Sequence, residues 1–236
     1  MNKCGKLFLL PNLLGEIHVE KVIPDGVKEA VHHIKHFIVE DEKNARRYLK
    51  QLTLKHTLQE LILYPLNKHS DNALIASYFE EVFKGEDIAV LSEAGCPGIA
   101  DPGAEAVKYA HQKNIEVIPL VGPSSILLAL ISSGMNGQSF TFNGYLPIDK
   151  TERIKKIKLI EQEVLNHNRT QIFMETPFRN MHLYEDVLKT CNASLKLCVA
   201  VDITLPSQEI KTKSIGQWKG TQIQLHKRPV IFVLGR

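Results

Sequence analysis

Cysteine is scarce and scattered: Cys4, Cys96, Cys191 and Cys198 are the only four in 236 residues, and no two form a C-x-x-C pair. That spacing offers neither a zinc knuckle nor a disulfide framework, so no metal site is expected and reduced thiols are the default. Aromatic residues make up only 7%, with Trp218 alone and six tyrosines dispersed, so no base-stacking platform can be read from them. No apolar run approaches the ~20 residues that span a bilayer. The opening "MNKCGKLFLLPN" has only a short apolar stretch before Pro11, too short for the hydrophobic segment of a signal peptide. A cytoplasmic protein with no membrane partner is the expectation. Neither G-x-G-x-x-G nor G-x-x-x-x-G-K-[ST] occurs, which removes the usual signatures of dinucleotide and nucleoside triphosphate sites.

What is present is ordinary globular material, 44% hydrophobic and 23% charged, long enough for one large domain or two small ones. The net charge of +3 permits an anionic partner without demanding one. Short apolar runs at 7–10, 37–39, 61–64, 88–91 and 116–120 read as strands, and amphipathic stretches at 24–33, 42–52, 71–83 and 102–112 read as helices between them. This alternation predicts β-α-β units and a mostly parallel sheet. Beyond it the spacing predicts an apolar helix after "VGPSS", a strand near Phe140, a charged helix over 151–165, and strands at 171–174, 196–201, 208–214 and 229–234. The alternation loosens near 120–122, so two α/β domains are expected, 1–120 and 121–236, the second with a mixed sheet.

Three loops follow strands and are rich in small residues and proline: "LPNLLG", "SEAGCPGIADPG" (92–103) and "VGPSS". Beyond the carboxyl ends of parallel strands, such loops let backbone groups approach a ligand closely. On spacing alone, glycine and proline at strand ends are also what any α/β protein needs for its turns.

The motifs "SEAGCPGIADPG", "PLVGPSS", "GYLP" and "FMETPFR", in this order, resemble those of the tetrapyrrole methylase superfamily. Within it they are similar to the small-subunit ribosomal RNA 2′-O-ribose methyltransferases, which carry S-D-A-G-T-P-x-I-x-D-P-G, P-G-P, G-F-L-P and F-Y-E-[SA]-x-x-R. The resemblance implies a two-domain tetrapyrrole-methylase fold, S-adenosylmethionine (SAM) as methyl donor, a homodimer and an RNA substrate. By position it implies cofactor contacts at Leu14, at Gly95, Cys96, Gly98, Ile99 and Ala100, at Ser124 and Ser125, and at Met174 and Pro229, with Val230 nearby. Departures fall toward the substrate: "PNLLGEI" stands for P-T-P-I-G-N-L, "EDEK" for E-D-T-R, and Arg228-Pro229 for the usual G-E before the last strand. Two alternatives stand beside it. A tetrapyrrole or other small-molecule methylase would usually open with G-x-G-x-G-D, which is absent, and a non-catalytic RNA-binding paralogue would fit the altered first loop.

A ribose hydroxyl attacks well only if a base takes its proton, and Glu93 is the first candidate, with His69 in "NKHSDN" the second. Asp101 before Pro102 reads as a helix N-cap, and Glu40 with Asp41 as a cap of the helix from Glu42 or as further candidate bases. Glu175 and Arg179 either pair with each other or orient an anionic acceptor. His32 and His36 at i, i+4 read as an exposed helix face. Lys155, Lys156 and Lys158, with Lys211, Lys213, Lys219, Lys227 and Arg228, are solvated charges or phosphate contacts.

Overall fold

The run at 7–10 forms β1 (Leu7–Leu10) and the run at 88–91 forms its parallel neighbour β4 (Ile88–Leu91), in register from Leu7 opposite Ile88. The computed structural model describes residues 4–67 and 70–236. Alternating with these strands are α1 (Asp25–Val31), β2 (His36–Val39), α2 (Glu42–Leu49), β3 (Ile62–Pro65), α3 (Asn72–Tyr78), α4 (Gly103–Gln112) and β5 (Val117–Pro119). The sheet is parallel throughout, in the order β3-β2-β4-β1-β5. Strand pleating sends Phe8, Phe37 and Ala89 into a core with α1 and α2, while Leu7, Ile38 and Ile88 enter another with α3 and α4. With both faces covered, these strands read as unbroken apolar runs in place of an alternation. Each fully buried large side chain, such as Phe37 or Leu10, contributes about 1.5–3 kcal/mol.

Helix starts follow local polar chemistry. Asp41 caps α2, its Oδ1 accepting from Asn44 N at 2.7 Å, and Asp71 caps α3, its Oδ1 accepting from Leu74 N. Pro102 occupies the N-cap position of α4, one residue later than Asp101 was expected to sit there. The Asp101 carboxylate nevertheless accepts from Gly103 N at 2.7 Å, so it satisfies an orphan donor of that helix. His36 is a correction. It begins β2, 5% exposed, with Nδ1 2.9 Å from the Tyr64 hydroxyl, and burial lowers its pKa. Only His32 lies at the end of a helix, beside Thr53 O.

The chain divides after Ser124, and the second unit runs from Ser125 to Arg236. It comprises α5 (Ser125–Ser133), β6 (Phe140–Tyr145), α6 (Lys150–His167), β7 (Thr170–Met174), α7 (Asn180–Thr190), β8 (Lys196–Val201), β9 (Glu209–Ser214), α8 (Ile215–Trp218) and β10 (Val230–Gly235). Its sheet, in the order β6-β7-β10-β8-β9, is mixed: β6 and β7 are parallel and the other pairs antiparallel. On α6 the buried positions are Arg153, Ile157, Ile160 and Val164, so its core face includes a charge. That guanidinium donates to Asp186 of α7 at 2.7 and 2.9 Å, both side chains being less than a tenth exposed. The expected α/β fold, a parallel sheet followed by a mixed one, is therefore present.

Candidate functional site

Three loops of the first unit gather where β1, β4 and β5 end. Asn12, just past β1, and Gly95, past β4, exchange backbone hydrogen bonds of 2.8 and 3.2 Å. The buried Asn12 amide also donates to Ser92 O and Glu93 O, so one side chain fixes both turns. The absence of a side chain at Gly122 admits the Pro11 ring, whose carbons would lie 2.2 and 2.3 Å from a Cβ there. Cys96 Sγ donates to Pro123 O at 3.5 Å, which draws in the third loop. Burial raises the Cys96 pKa, so this thiol is a small filler and not an activated nucleophile.

Leu14, Gly95 and Cys96 thus come together: a Cβ on Gly95 would sit 3.3 Å from Leu14 Cδ2 and from Pro123 O. Gly98, Ile99 and Ala100 form the next turn, with φ of +84° at Gly98 and +62° at Ala100, and the Ile99 side chain is 48% exposed. Asp101 Oδ1 holds this turn through Gly98 N at 2.9 Å, while Oδ2 is buried without a partner among the described residues. Desolvation raises the Asp101 pKa, opposed by the two backbone donors. Ser124 is half-buried directly after Pro123. Glu93 is exposed and accepts from Asn44 Nδ2 at 2.7 Å. His69 lies outside the described residues.

A cavity of about 510 Å³ opens in this unit beside the first loop, walled by Leu13, Leu14 and Ile17 and rimmed by Asn44, Arg47 and Glu93. Tyr48 on α2 ties the helix to this loop by donating to Pro11 O at 2.6 Å, and burial raises its pKa. Asn12, Asn44, Arg47 and Tyr48 were not among the expected residues. An asparagine directly after the proline of the first loop was the one local signal.

In the second unit, Ser125 begins α5, and Met174 and Pro229 share one end of the sheet: Met174 pairs with Ile231, and Pro229 O accepts from Asp202 N. Val230 is buried at the start of β10. Glu175 and Arg179 pair at 2.7 Å. Arg228 is engaged as well, donating to Asp202, Glu209 and the Ser207 carbonyl. At this same end Arg179 Nε, Asn180 Oδ1 and Thr204 Oγ1 are buried without partners among the described residues. Lys155 pairs with Glu152 and Lys211 with Glu209, whereas Lys156, Lys158, Lys219 and Lys227 make no ion pair among the described residues. No group of three or more His, Cys, Asp or Glu among the described residues is placed to hold a metal ion, and no helix among them is long and apolar enough to cross a membrane.

A parallel unit followed by a mixed one is the architecture of the tetrapyrrole methylases. The methyltransferase CobJ superposes with a TM-score of 0.65 at 16% identity, over 98% of this chain and 94% of that one. Uroporphyrin-III-C-methyltransferase from Thermus thermophilus gives 0.55 at 17%, with the same coverage. No protein-family model matches the chain. Among curated relatives, the ribosomal RNA small subunit methyltransferase I of Buchnera aphidicola subsp. Schizaphis graminum is 30% identical, aligned over 99% of this chain and 79% of its own length. That of Escherichia coli O157:H7 is 27% identical over 92% of this chain and 71% of its own. The chain belongs to the ribosomal RNA small subunit methyltransferase I family.

Proposed function

We propose that this chain is a SAM-dependent methyltransferase that methylates a ribose 2′-hydroxyl of small-subunit ribosomal RNA, working as a cytoplasmic homodimer. The observation that carries it is the likeness to ribosomal RNA small subunit methyltransferases I over 99% of the chain. The geometry of the loops fits the donor. SAM carries a positive sulfonium and no phosphate, and residues 92–103 hold two carboxylates and no lysine or arginine. Glycine at the positive-φ positions 95 and 98 keeps these turns free of side chains, and Asp101 Oδ2 is a buried acceptor without a partner among the described residues. In this proposal Leu14, Gly95, Cys96, Gly98, Ile99, Ala100 and Ser124 hold SAM on the first unit. Ser125, Met174 and Pro229 carry the second unit's share.

When bound, SAM supplies a methyl group whose bond to sulfur breaks, the electron pair staying on sulfur, as the bond to the acceptor oxygen forms. The protein's task is to position the hydroxyl and remove its proton. Glu93 takes that proton in this proposal, because it is a solvent-accessible carboxylate on the rim of the cavity with one oxygen already held by Asn44. His69 remains the second candidate. Calorimetry with SAM and transfer assays on Glu93→Gln test this directly. The expected variant binds SAM as the wild type does and transfers methyl groups about 10²–10⁴-fold more slowly. A wild-type protein that binds no SAM would leave the non-catalytic RNA-binding alternative standing.

A further inference from the structure

The cavity of about 510 Å³ in the first unit is not used by the donor as assigned above: of the proposed SAM contacts only Leu14 lines it. Yet it adjoins the donor loop. Ala94 in its wall immediately precedes Gly95, and Leu14 Cδ2 sits 3.3 Å from where a Gly95 Cβ would be. Methyl transfer requires the acceptor oxygen to meet the donor at close range, so a cavity adjoining the donor loop is where a second reactant belongs.

The size and lining narrow that reactant. A volume of this order falls within the 300–1,000 Å³ typical of small-ligand pockets, large enough for one nucleotide and too small for a helix of RNA. A ribose and base in a stacked helix cannot enter it, so the nucleotide must be unstacked and turned out, as enzymes that modify bases require. Leu13, Leu14 and Ile17 give an apolar wall against which a base can lie, and Arg47 places a cation at the rim whose only ion pair among the described residues is an exposed one, 3.7 Å from Glu16, which a phosphate can replace. Glu16 and Glu93 on the same rim oppose a macrocycle bearing several carboxylates, which a small-molecule methylase would have to admit.

One side chain links these features. Asn44 donates from Nδ2 to Glu93 Oε2 at 2.7 Å and accepts at Oδ1 from Arg47 Nη2 at 2.8 Å, while its own backbone N–H is fixed by Asp41 at 2.7 Å. The amide therefore stands on the first turn of α2 with little freedom, holding one carboxylate oxygen and leaving the other for a proton.

We propose that this cavity seats a single unstacked acceptor nucleotide, with Asn44 as the positioning residue that orients the Glu93 carboxylate toward its ribose hydroxyl. The assignment rests on the methyltransferase function proposed above. In the reaction the hydroxyl proton passes to Glu93 as its oxygen gains the methyl group from SAM, and the sulfur retains the electron pair.

The test compares the wild type with Gln51→Trp, which fills the cavity from an exposed position on its rim, and Asn44→Ala. SAM affinity is measured by calorimetry, and tritium transfer from methyl-labelled SAM is measured on unmodified small-subunit RNA. Both variants should bind SAM within about twofold of the wild type, which also shows that they fold. Gln51→Trp should raise KM for the RNA roughly tenfold or more, the scale of one base's stacking energy. Asn44→Ala should leave KM unchanged and lower kcat about a hundredfold, as misplacement of a reacting group does. Gln51→Trp with wild-type KM would remove the nucleotide from the cavity, and a SAM affinity that falls in Gln51→Trp would assign the cavity to the donor. An Asn44→Ala enzyme with unchanged kcat would deny the positioning role. Failure of the wild type itself to label RNA would instead strike the function proposed above, and this assignment would fall with it.

Discussion

Gly98 and Gly122 are both glycines of the loop cluster, but for different reasons. A Cβ at Gly98 would meet nothing nearer than Ala104 N at 3.9 Å, so only its φ of +84° calls for glycine, whereas at Gly122 the Pro11 ring occupies the space itself. Asparagine tolerates the left-handed region and valine does not. Gly98→Asn should therefore keep SAM affinity near wild type, while Gly98→Val should lose about 1–2 kcal/mol of stability and weaken SAM binding. Equal SAM affinities for the two variants would show that backbone conformation there does not matter to the donor. His36 allows a pH test. Burial lowers its pKa from the ordinary 6.5. The unfolded chain then binds a proton near 6.5 that the folded chain refuses, so this contribution to stability is intact above that value and declines as pH falls through it. Between about pH 7.5 and about pH 5.5 the wild-type melting temperature should fall more than that of His36→Phe; parallel curves would show that His36 is not the group responsible.

At the scale of elements, α6 and α7 are joined by the buried Arg153–Asp186 pair. Removing one partner strands the other charge, so Arg153→Met or Asp186→Leu alone should cost about 3–5 kcal/mol, while the double change should cost much less. Urea unfolding of the three variants checks this, and additive losses would mean that the two groups do not act as a pair. The pair also marks the limit of what the sequence discloses. Ile154, Ile157 and Val164 read in the sequence as one apolar face of α6, and of these Ile157 and Val164 are buried and Ile154 half-buried, but Arg153, which lies in a charged run, is buried because Asp186 meets it from 33 residues away. His36 was misread for a related reason: its spacing from His32 follows a helical period, but α1 ends at Val31 and β2 starts at His36. The candidate site divides in the same way. Its loops were legible because glycine, proline and aspartate have local conformational signatures. Asn44 and Tyr48 were not, because their roles depend on where α2 packs, Tyr48 reaching Pro11 over 37 residues. The basic helix face was legible as charge, but its ion pairs were not; Lys155 is engaged by Glu152, which leaves Lys156 and Lys158 as the cations to test.

For the whole molecule, a homodimer should scatter light with twice the mass of the 26.6 kDa chain; a mass near that of one chain at micromolar concentration would contradict it. If Lys156 and Lys158 neutralise phosphates, reversing both to glutamate should weaken RNA binding and flatten its salt dependence by about 0.7 in log–log slope per lost contact, with SAM affinity unchanged. An unaltered slope would remove α6 from the RNA surface. In the proposed reaction this chain transfers a methyl group from SAM to a ribose hydroxyl of small-subunit ribosomal RNA. The most direct measurement incubates the protein with methyl-tritiated SAM and unmodified small-subunit RNA, hydrolyses the RNA in alkali and locates the label. A methylated 2′-oxygen cannot attack the adjacent phosphate, so the predicted result is tritium in an alkali-resistant dinucleotide, lost with Glu93→Gln. Tritium in ordinary mononucleotides, or unlabelled RNA from a protein that binds SAM, would contradict it.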